Sequence, residues 1–398
     1  MLLGVIALAV NLRPAAVSVG PVLEEIRDGL GMSHVEAGVL TSLPVVAFAI
    51  FGAAAPVVAR KVGVHRLTLL ALVALTVGLV ARALTRQAEV FLLVTVVALA
   101  GMAAANVLLP SLVKLHFPTR IGPLTSIYTT ALAIGLTAAS VLTVPIAELM
   151  GSWRWGLAVW AIPAFIAVLP WLGLVAHDER PQGATRTVPL RAVARTRIGW
   201  AMAVTFGLQS AQAYTIFGWF AQLYRDAGFS AGTAGLLLGV ITGVSIPVSL
   251  WVPSAAAKRE DQTGLLLMLL ACYPVGYLGL LLFPVGGAWL WAVLVGIGTG
   301  VFPLVLTMIA LRTRTSDGTA ALSGFSQAVG YAISIVGPLG ISLAYDATGG
   351  WTLPLVLLTA TSVATRWSAC TCRVPDTSRT SSRSADGYRS RWRAQAKQ

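Results

Sequence analysis

"QTGLLLMLLACYPVGYLGLLLFPVGGAWLWAVLVGIGTGVFPLVLTMIAL" occupies residues 262–311 and contains no charged side chain. A helix needs about 20 apolar residues to cross the hydrocarbon core of a bilayer, so this run is long enough for two crossings. The segment "FPVGGA" at 283–288 combines a proline with two glycines, which favours a turn between the two helices. The stretch therefore predicts a pair of membrane-spanning helices.

Further uncharged runs of similar character recur along the chain, and each is long enough for one span. They cover residues 37–59, 90–113, 121–147, 155–176, 198–224, 227–257, 318–345 and 347–365. Charged residues make up 11% of the chain, against about a quarter in soluble domains. With the first apolar segment and a shorter one at 67–81, the runs predict an all-α polytopic membrane protein with twelve transmembrane helices.

The net charge of +13 is distributed unevenly between the two ends of these predicted helices. If the N-terminus is cytoplasmic, the outer connections carry only Arg27, Arg82, Arg86, Arg154 and Arg225. Most of the other Lys and Arg residues fall in the cytoplasmic connections and the C-terminal tail, and such a bias marks the cytoplasmic side. We therefore expect a multi-pass protein of the inner (cytoplasmic) membrane, with both termini cytoplasmic and no binding to nucleic acid.

Two halves of the chain resemble each other at an offset of 197 to 198 residues. "SHVEAGVL" at 33–40 corresponds to "SAGTAGLL" at 230–237, and "ELMGSW" at 148–153 corresponds to "DATGGW" at 346–351. Parallel six-helix halves resemble the architecture of major facilitator transporters, in which substrate binds near the midplane between the halves. The domain boundaries that we predict are an N-terminal half at 1–176, a basic cytoplasmic linker at 177–197 and a C-terminal half at 198–365.

Arg13 stands alone as a charged residue within the first 23 positions. A guanidinium that faces lipid at a helix centre costs at least about 3 kcal/mol, so this side chain is expected to face a cavity or a partner. Carboxylates are absent from the interior of nearly every other predicted span, which favours an anchor for an anionic or strongly electronegative substrate. The alternative is a structural tie to backbone carbonyls.

Asn11 lies two residues before Arg13, so the two side chains point to different sides of an ideal helix. Pro14 removes a backbone hydrogen bond and is expected to kink the span. The distortion either brings both side chains to one cavity or leaves one of them in a contact between helices.

Other polar residues at membrane depth are candidates for the same cavity wall. Gln209 and Gln212 are one helical turn apart, and Tyr214 follows them in the seventh predicted span. Asn106 in the fourth span suits packing or lining equally well, and Tyr128 suits either the transport path or an interface anchor. We therefore list the substrate-binding candidates as Arg13, Asn11, Gln209, Gln212, Asn106, Tyr128 and Tyr214.

Motifs for catalysis or cofactor binding are missing from the sequence. "GIGTG" at 296–300 lies in an apolar run without the strand-turn-helix context of a nucleotide site, and no P-loop occurs. Cys272, Cys370 and Cys372 form neither a disulfide framework nor a zinc motif. We expect no enzyme activity, no cofactor and no metal.

Five segments together identify a resemblance: "NLRPAAVSVGP" (11–21), "NVLLPSLVK" (106–114), "FGLQS" (206–210), "RDAGFS" (225–230) and "GGWTLPL" (349–355). They resemble the cyanate and 2-nitroimidazole transporter family of the major facilitator superfamily, over about residues 2–365. The resemblance implies transport of a small anionic or nitro-bearing solute by alternating access. We expect the chain to be a monomer in the lipid bilayer. The alternatives are an exporter of amphipathic drugs in the same superfamily and a non-transporting membrane sensor.

The chain changes character after Ala364. Residues 366–398 are rich in Ser, Lys and Arg and poor in aliphatic residues. Two interpretations fit equally well: a disordered basic cytoplasmic tail that seeks anionic lipid, and an out-of-frame translation that interrupts the twelfth helix.

Overall fold

The computed structural model describes residues 1–117, 119–175, 190–259, 261–313 and 316–370, and all regular secondary structure within them is helical. Most of the predicted linker at 177–197, and the tail from residue 371, lie outside the described residues. The division of the chain at the linker therefore stays a prediction.

The N-terminal part of the chain contains ten helices that make up six helical segments. They are α1 (Leu2–Asn11), α2 (Pro14–Val17), α3 (Leu23–Leu30), α4 (His34–Ala47), α5 (Ala53–Val62), α6 (Val64–Leu84), α7 (Ala88–His116), α8 (Ile121–Leu149), α9 (Trp153–Ala158) and α10 (Ala161–Leu174). A 3₁₀ turn at Gly20–Val22 joins α2 to α3, and a π-helical turn at Phe48–Gly52 joins α4 to α5. The first segment, Leu2–Leu30, is thus broken twice.

The C-terminal part repeats the six segments after a short helix, α11 (Leu190–Ala194). The remaining helices are α12 (Arg197–Asp226), α13 (Ala231–Ala257), α14 (Thr263–Leu282), α15 (Ala288–Gly298), α16 (Val301–Leu311), α17 (Ser316–Ser334), α18 (Val336–Thr348) and α19 (Thr352–Cys370). The hairpin predicted from residues 262–311 is confirmed, with its turn directly after Leu282.

Ten of these twelve segments are long and apolar enough to cross a bilayer, judged over the described residues. The other two are α12, whose 30 residues include several polar ones, and α19. Large apolar side chains such as Leu93, Phe165 and Leu278 are more than half exposed on the outside of the bundle. An apolar exterior around a helical core is what a lipid environment requires.

The sequence repeat corresponds to the same turn in both parts of the chain. Ser33 and Ser230 each cap a helix, accepting a hydrogen bond from the backbone N–H three residues later. Gly31 and Gly228 precede them with positive φ angles of 65° and 98°, a conformation that glycine adopts without strain. The end of the bundle that carries these two turns is called the Ser33 end below.

Arg82 departs from the sequence prediction. It was expected in an outer connection, but it lies inside α6 and is fully buried. The twelfth helix also differs, because α19 continues through Arg366 to Cys370 instead of ending at 365.

Candidate functional site

The first segment breaks at Arg13. Leu12 has φ and ψ angles of −81° and 3°, and Arg13 has −125° and −34°, so neither residue continues the helix. Pro14 occupies the first position of α2, where its missing N–H is tolerated. The predicted kink at Pro14 is confirmed, because α1 ends at Asn11 and α2 begins at Pro14.

The Arg13 side chain reaches the seventh segment. Its Nη1 donates to the Tyr214 hydroxyl on α12 at 3.1 Å, and its guanidinium carbon lies 6.0 Å from the centre of the Phe48 ring. Phe48 in turn stacks on Tyr331 of α17, with ring centres 4.7 Å apart. One cation and three aromatic rings thus join the first and second segments to the seventh and eleventh.

A cavity of about 170 Å³ lies beside this cluster. Its walls come from the break, from α8, α12, α13, α16 and α17, and from the turn between α15 and α16. The lining residues are Arg13, Thr129, Leu132, Ala133, Leu136, Gln209, Ser210, Ala213, Tyr214, Phe217, Thr242, Ser245, Ser249, Thr299, Phe302, Pro303, Leu306 and Tyr331. Arg13 is the one charged residue among them, so within the described part of the chain no carboxylate faces it across the cavity.

Several hydroxyls in this wall already donate hydrogen bonds to backbone carbonyls of their own helices or turn. Thr242 donates to the carbonyl of Gly239 at 3.1 Å, Thr299 to that of Gly296 at 2.6 Å, and Ser245 to that of Thr242. A hydroxyl whose hydrogen is used in this way still presents an oxygen that accepts. The α13 and α15–α16 walls therefore offer acceptors, whereas Arg13 offers donors.

Gln209 and Gln212 have different environments, which corrects the prediction that both line the cavity. Gln209 is a lining residue on α12. Gln212 is buried between α12, α14 and α19, where its Nε2 donates to the Leu358 carbonyl at 3.2 Å and its Oε1 accepts from the Tyr277 hydroxyl. Gln212 therefore ties helices together within the C-terminal part.

Asn11 is likewise absent from the cavity wall. Its Nδ2 donates to the carbonyls of Ala7 at 2.7 Å and Pro163 at 3.0 Å, so it fastens α1 to α10. The kink at Pro14 was expected either to bring Asn11 and Arg13 to one cavity or to leave one of them in a contact between helices. The structure shows the second outcome, with Asn11 in the contact. Asn106 on α7 and Tyr128 on α8 are half-buried and are not among the lining residues.

The cavity also includes residues that sequence reasoning missed. Tyr331 lines it, and Phe48 packs against both Tyr331 and Tyr214 at its edge. The hydroxyl residues of α13 were missed too. A repeated polar side chain at one-turn spacing, as in Thr242, Ser245 and Ser249, was the signal that could have identified that wall.

Three relatives resemble this chain over most of its length. The Uncharacterized transporter YycB of Bacillus subtilis (strain 168) is 36% identical over 368 residues, 90% of this chain and 90% of the relative. The 2-nitroimidazole transporter of Escherichia coli (strain K12) is 30% identical over 358 residues, covering 89% and 91%. The cyanate transport protein CynX of Escherichia coli (strain K12) is 30% identical over 340 residues, covering 85% and 88%.

The fold has solved counterparts as well. The crystal structure of the nucleoside transporter NupG superposes with a TM-score of 0.75 at 15% identity, covering 94% of this chain and all of that one. The family model described as Major Facilitator Superfamily matches residues 5–386. On the strength of that match and of its transporter relatives, the chain belongs to the major facilitator superfamily of membrane transporters.

Proposed function

We propose that this chain moves a small anionic or nitro-bearing solute across the cytoplasmic membrane by alternating access. The observation that carries the proposal is Arg13, a permanent cation at the edge of a cavity between the two parts of the chain. A guanidinium attracts electronegative groups strongly because it presents several N–H donors in one plane. Its Nη1 is held by Tyr214, which leaves other donors for a solute.

The charge balance of the cavity supports this assignment. No Asp or Glu is among the described lining residues, so the field of Arg13 is not cancelled by a nearby carboxylate. This field favours an anion or the negative end of a nitro group. The same field disfavours cationic amphipathic drugs.

The size and chemistry of the walls favour a ring-bearing nitro compound over a triatomic anion. A volume of about 170 Å³ exceeds the space that a single small ion needs. The acceptor hydroxyls of Thr242, Ser245 and Thr299 suit an N–H group on the solute, while Arg13 suits its nitro group. One relative is a 2-nitroimidazole transporter and another a cyanate transport protein, which agrees with this class.

A second candidate function is export of larger amphipathic compounds. The observation that favours it is the apolar part of the wall, formed by Leu132, Leu136, Phe302 and Leu306. Apolar walls of this kind bind hydrophobic solutes with little regard for their polar groups.

Following the distribution of Lys and Arg, we propose that the chain lies in the inner membrane with both termini in the cytoplasm. We also propose that it acts as a monomer. The Ser33 end then faces outward. Cysteine labelling from one side of intact cells, at an introduced cysteine beside Ser33, tests this orientation. Labelling only after the cells are permeabilised would contradict it.

Uptake into liposomes tests the substrate class. We expect the reconstituted protein to take up 2-nitroimidazole, with cyanate and nitrate as the smaller alternatives. Arg13→Gln should lower uptake on the order of tenfold to a hundredfold, because a hydrogen bond to a charged group contributes about 1.5–3 kcal/mol. Arg86→Gln, which changes an exposed arginine, is the matched control and should match the unchanged protein.

Two results would contradict the proposal. One is a folded Arg13→Gln variant that takes up all three solutes at the rate of the unchanged protein. The other is transport of bulky amphipathic cations with none of the three small solutes, which would establish the second candidate. Repeating the assay with and without a pH gradient identifies any coupling to protons.

A further inference from the structure

Arg82 is a second arginine buried within the bundle. It lies in the last turn of α6 with none of its surface exposed. Among the described residues no Asp or Glu forms an ion pair with it, and its Nε has no hydrogen-bond partner. An arginine buried without a carboxylate is costly, so its position requires a specific reason.

Both hydrogen bonds of Arg82 go to the short stretch that follows the break at Arg13. Its Nη1 donates to the carbonyl of Ala15 at 2.8 Å, and its Nη2 donates to the hydroxyl of Ser18 at 3.0 Å. α2 has only four residues, and the last four carbonyls of a helix lack donors from that helix. Arg82 therefore supplies a donor to one backbone carbonyl that the broken segment leaves without one, that of Ala15, and adds a side-chain hydrogen bond to Ser18.

We propose that Arg82 is a positioning residue, which holds the first segment in its broken form so that Arg13 projects into the cavity. This inference rests on the proposed function, because it gives Arg82 its role through the anchor. Arg82 does not line the cavity, and its contacts lie two to five residues beyond Arg13 along the chain. The planar guanidinium reaches two acceptors at once, which a lysine ammonium at the same place does less well.

Another arginine, Arg154, already holds the end of α6 in place. Nη1 of Arg154 on α9 donates to the carbonyls of Ala83, at 3.1 Å, and Thr85. Arg154 thus binds the end of α6 without touching the first segment through these bonds. Arg154 holds the end of α6, whereas Arg82 holds the stretch after the break. Arg154 is therefore a matched control for Arg82.

Hydrogen exchange tests the local role without any solute. In Arg82→Gln the amides of residues 12–22 should exchange at least tenfold faster, while those of α7 stay as in the unchanged protein. Ser18→Ala, which keeps the charge and removes one acceptor, should give a smaller increase in the same peptide. Arg154→Gln should leave residues 12–22 protected.

The outcome that overturns the local role is unchanged exchange at 12–22 in Ser18→Ala and in folded Arg82→Gln. Equal loss of protection throughout the protein would overturn it as well, because it would assign Arg82 to general stability. If Arg82→Gln does not fold, Ser18→Ala decides alone.

A double-mutant cycle in the liposome assay tests the link to Arg13. If Arg82 acts through Arg13, Arg82→Gln should raise the KM for 2-nitroimidazole, cyanate or nitrate by about tenfold in the unchanged protein. It should not raise that KM further in Arg13→Gln. Equal increases in both backgrounds would overturn the link. If Arg13→Gln alone has no effect, the proposed function fails, and hydrogen exchange still decides the local role of Arg82.

Discussion

Arg225 at the end of α12 donates through Nη1 to both carboxylate oxygens of Glu25 on α3, at 2.7 and 2.8 Å. Its Nη2 lies 2.7 Å from a carboxylate oxygen of Glu24. On the same side of the bundle, His34 Nδ1 lies 3.1 Å from Asp346 Oδ1. These contacts join the N-terminal and C-terminal parts of the chain at the Ser33 end, so that end is closed in this structure.

Arg225→Gln should favour opening at the Ser33 end. Partly exposed ion pairs contribute up to about 1 kcal/mol, so their loss should increase the open population by about fivefold. The measurement is the rate of maleimide labelling at an introduced Thr41→Cys, read by peptide mass spectrometry. Thr41 is buried and accepts a hydrogen bond from Trp219 Nε1 at 3.0 Å.

Glu89→Gln provides the control for that experiment, because Glu89 is an exposed acid at the start of α7, on the same end of the bundle. It should leave the labelling rate unchanged. Equal labelling rates in Arg225→Gln and Glu89→Gln would show that the ion pairs do not hold this end closed.

Gly20→Ala should destabilise the contact between the first segment and α12 by a steric route. A Cβ at Gly20 would lie 2.1 Å from the carbonyl oxygen of Phe217, so the first segment and α12 would have to separate. Overpacking of this kind costs about 1–3 kcal/mol and should lower the thermal unfolding midpoint. Gly232→Ala, which meets no atom within 4 Å, should melt as the unchanged protein does; identical curves for both variants would refute the prediction.

Sequence reasoning located the helices well because hydrophobic length is a local property of the chain. It misplaced Arg82 for the same reason. The run at 67–81 was ended at the first charged residue, yet α6 continues to Leu84 because the Arg82 side chain turns inward to hydrogen-bond acceptors. A charge marks the end of a span only when its side chain reaches water.

The cavity wall was harder to predict because α12 is buried around most of its circumference. Residues three apart on a helix differ in direction by about 60°, which is enough to place Gln209 in the cavity and Gln212 against α14 and α19. Helical spacing places such residues on one face of the helix, but it does not predict which neighbouring helix or cavity lies against each of them. Tyr331 gave no sequence signal of its own.

Gln209→Ala should therefore change mainly the KM for uptake, and Gln212→Ala mainly the thermal unfolding midpoint. Gln209→Ala should raise the KM for uptake several-fold and leave the unfolding midpoint nearly unchanged. Gln212→Ala leaves the buried Tyr277 hydroxyl without its acceptor, which costs about 1–3 kcal/mol, so it should lower the midpoint with little change in KM. Uptake kinetics and thermal unfolding of the two variants check this, and a larger KM change in Gln212→Ala would reverse the assignment.

Asn11→Ala should affect stability and leave solute binding unchanged. The substitution removes the hydrogen bond to the Pro163 carbonyl, which contributes about 1 kcal/mol, so the thermal midpoint should fall slightly. The KM should stay within about twofold of the unchanged protein, because a lost contact outside the cavity removes no interaction with the solute. Arg13→Gln, two residues away, is the contrasting variant and should raise the KM. A KM increase in Asn11→Ala as large as that in Arg13→Gln would contradict this assignment and would show that Asn11 contacts the solute.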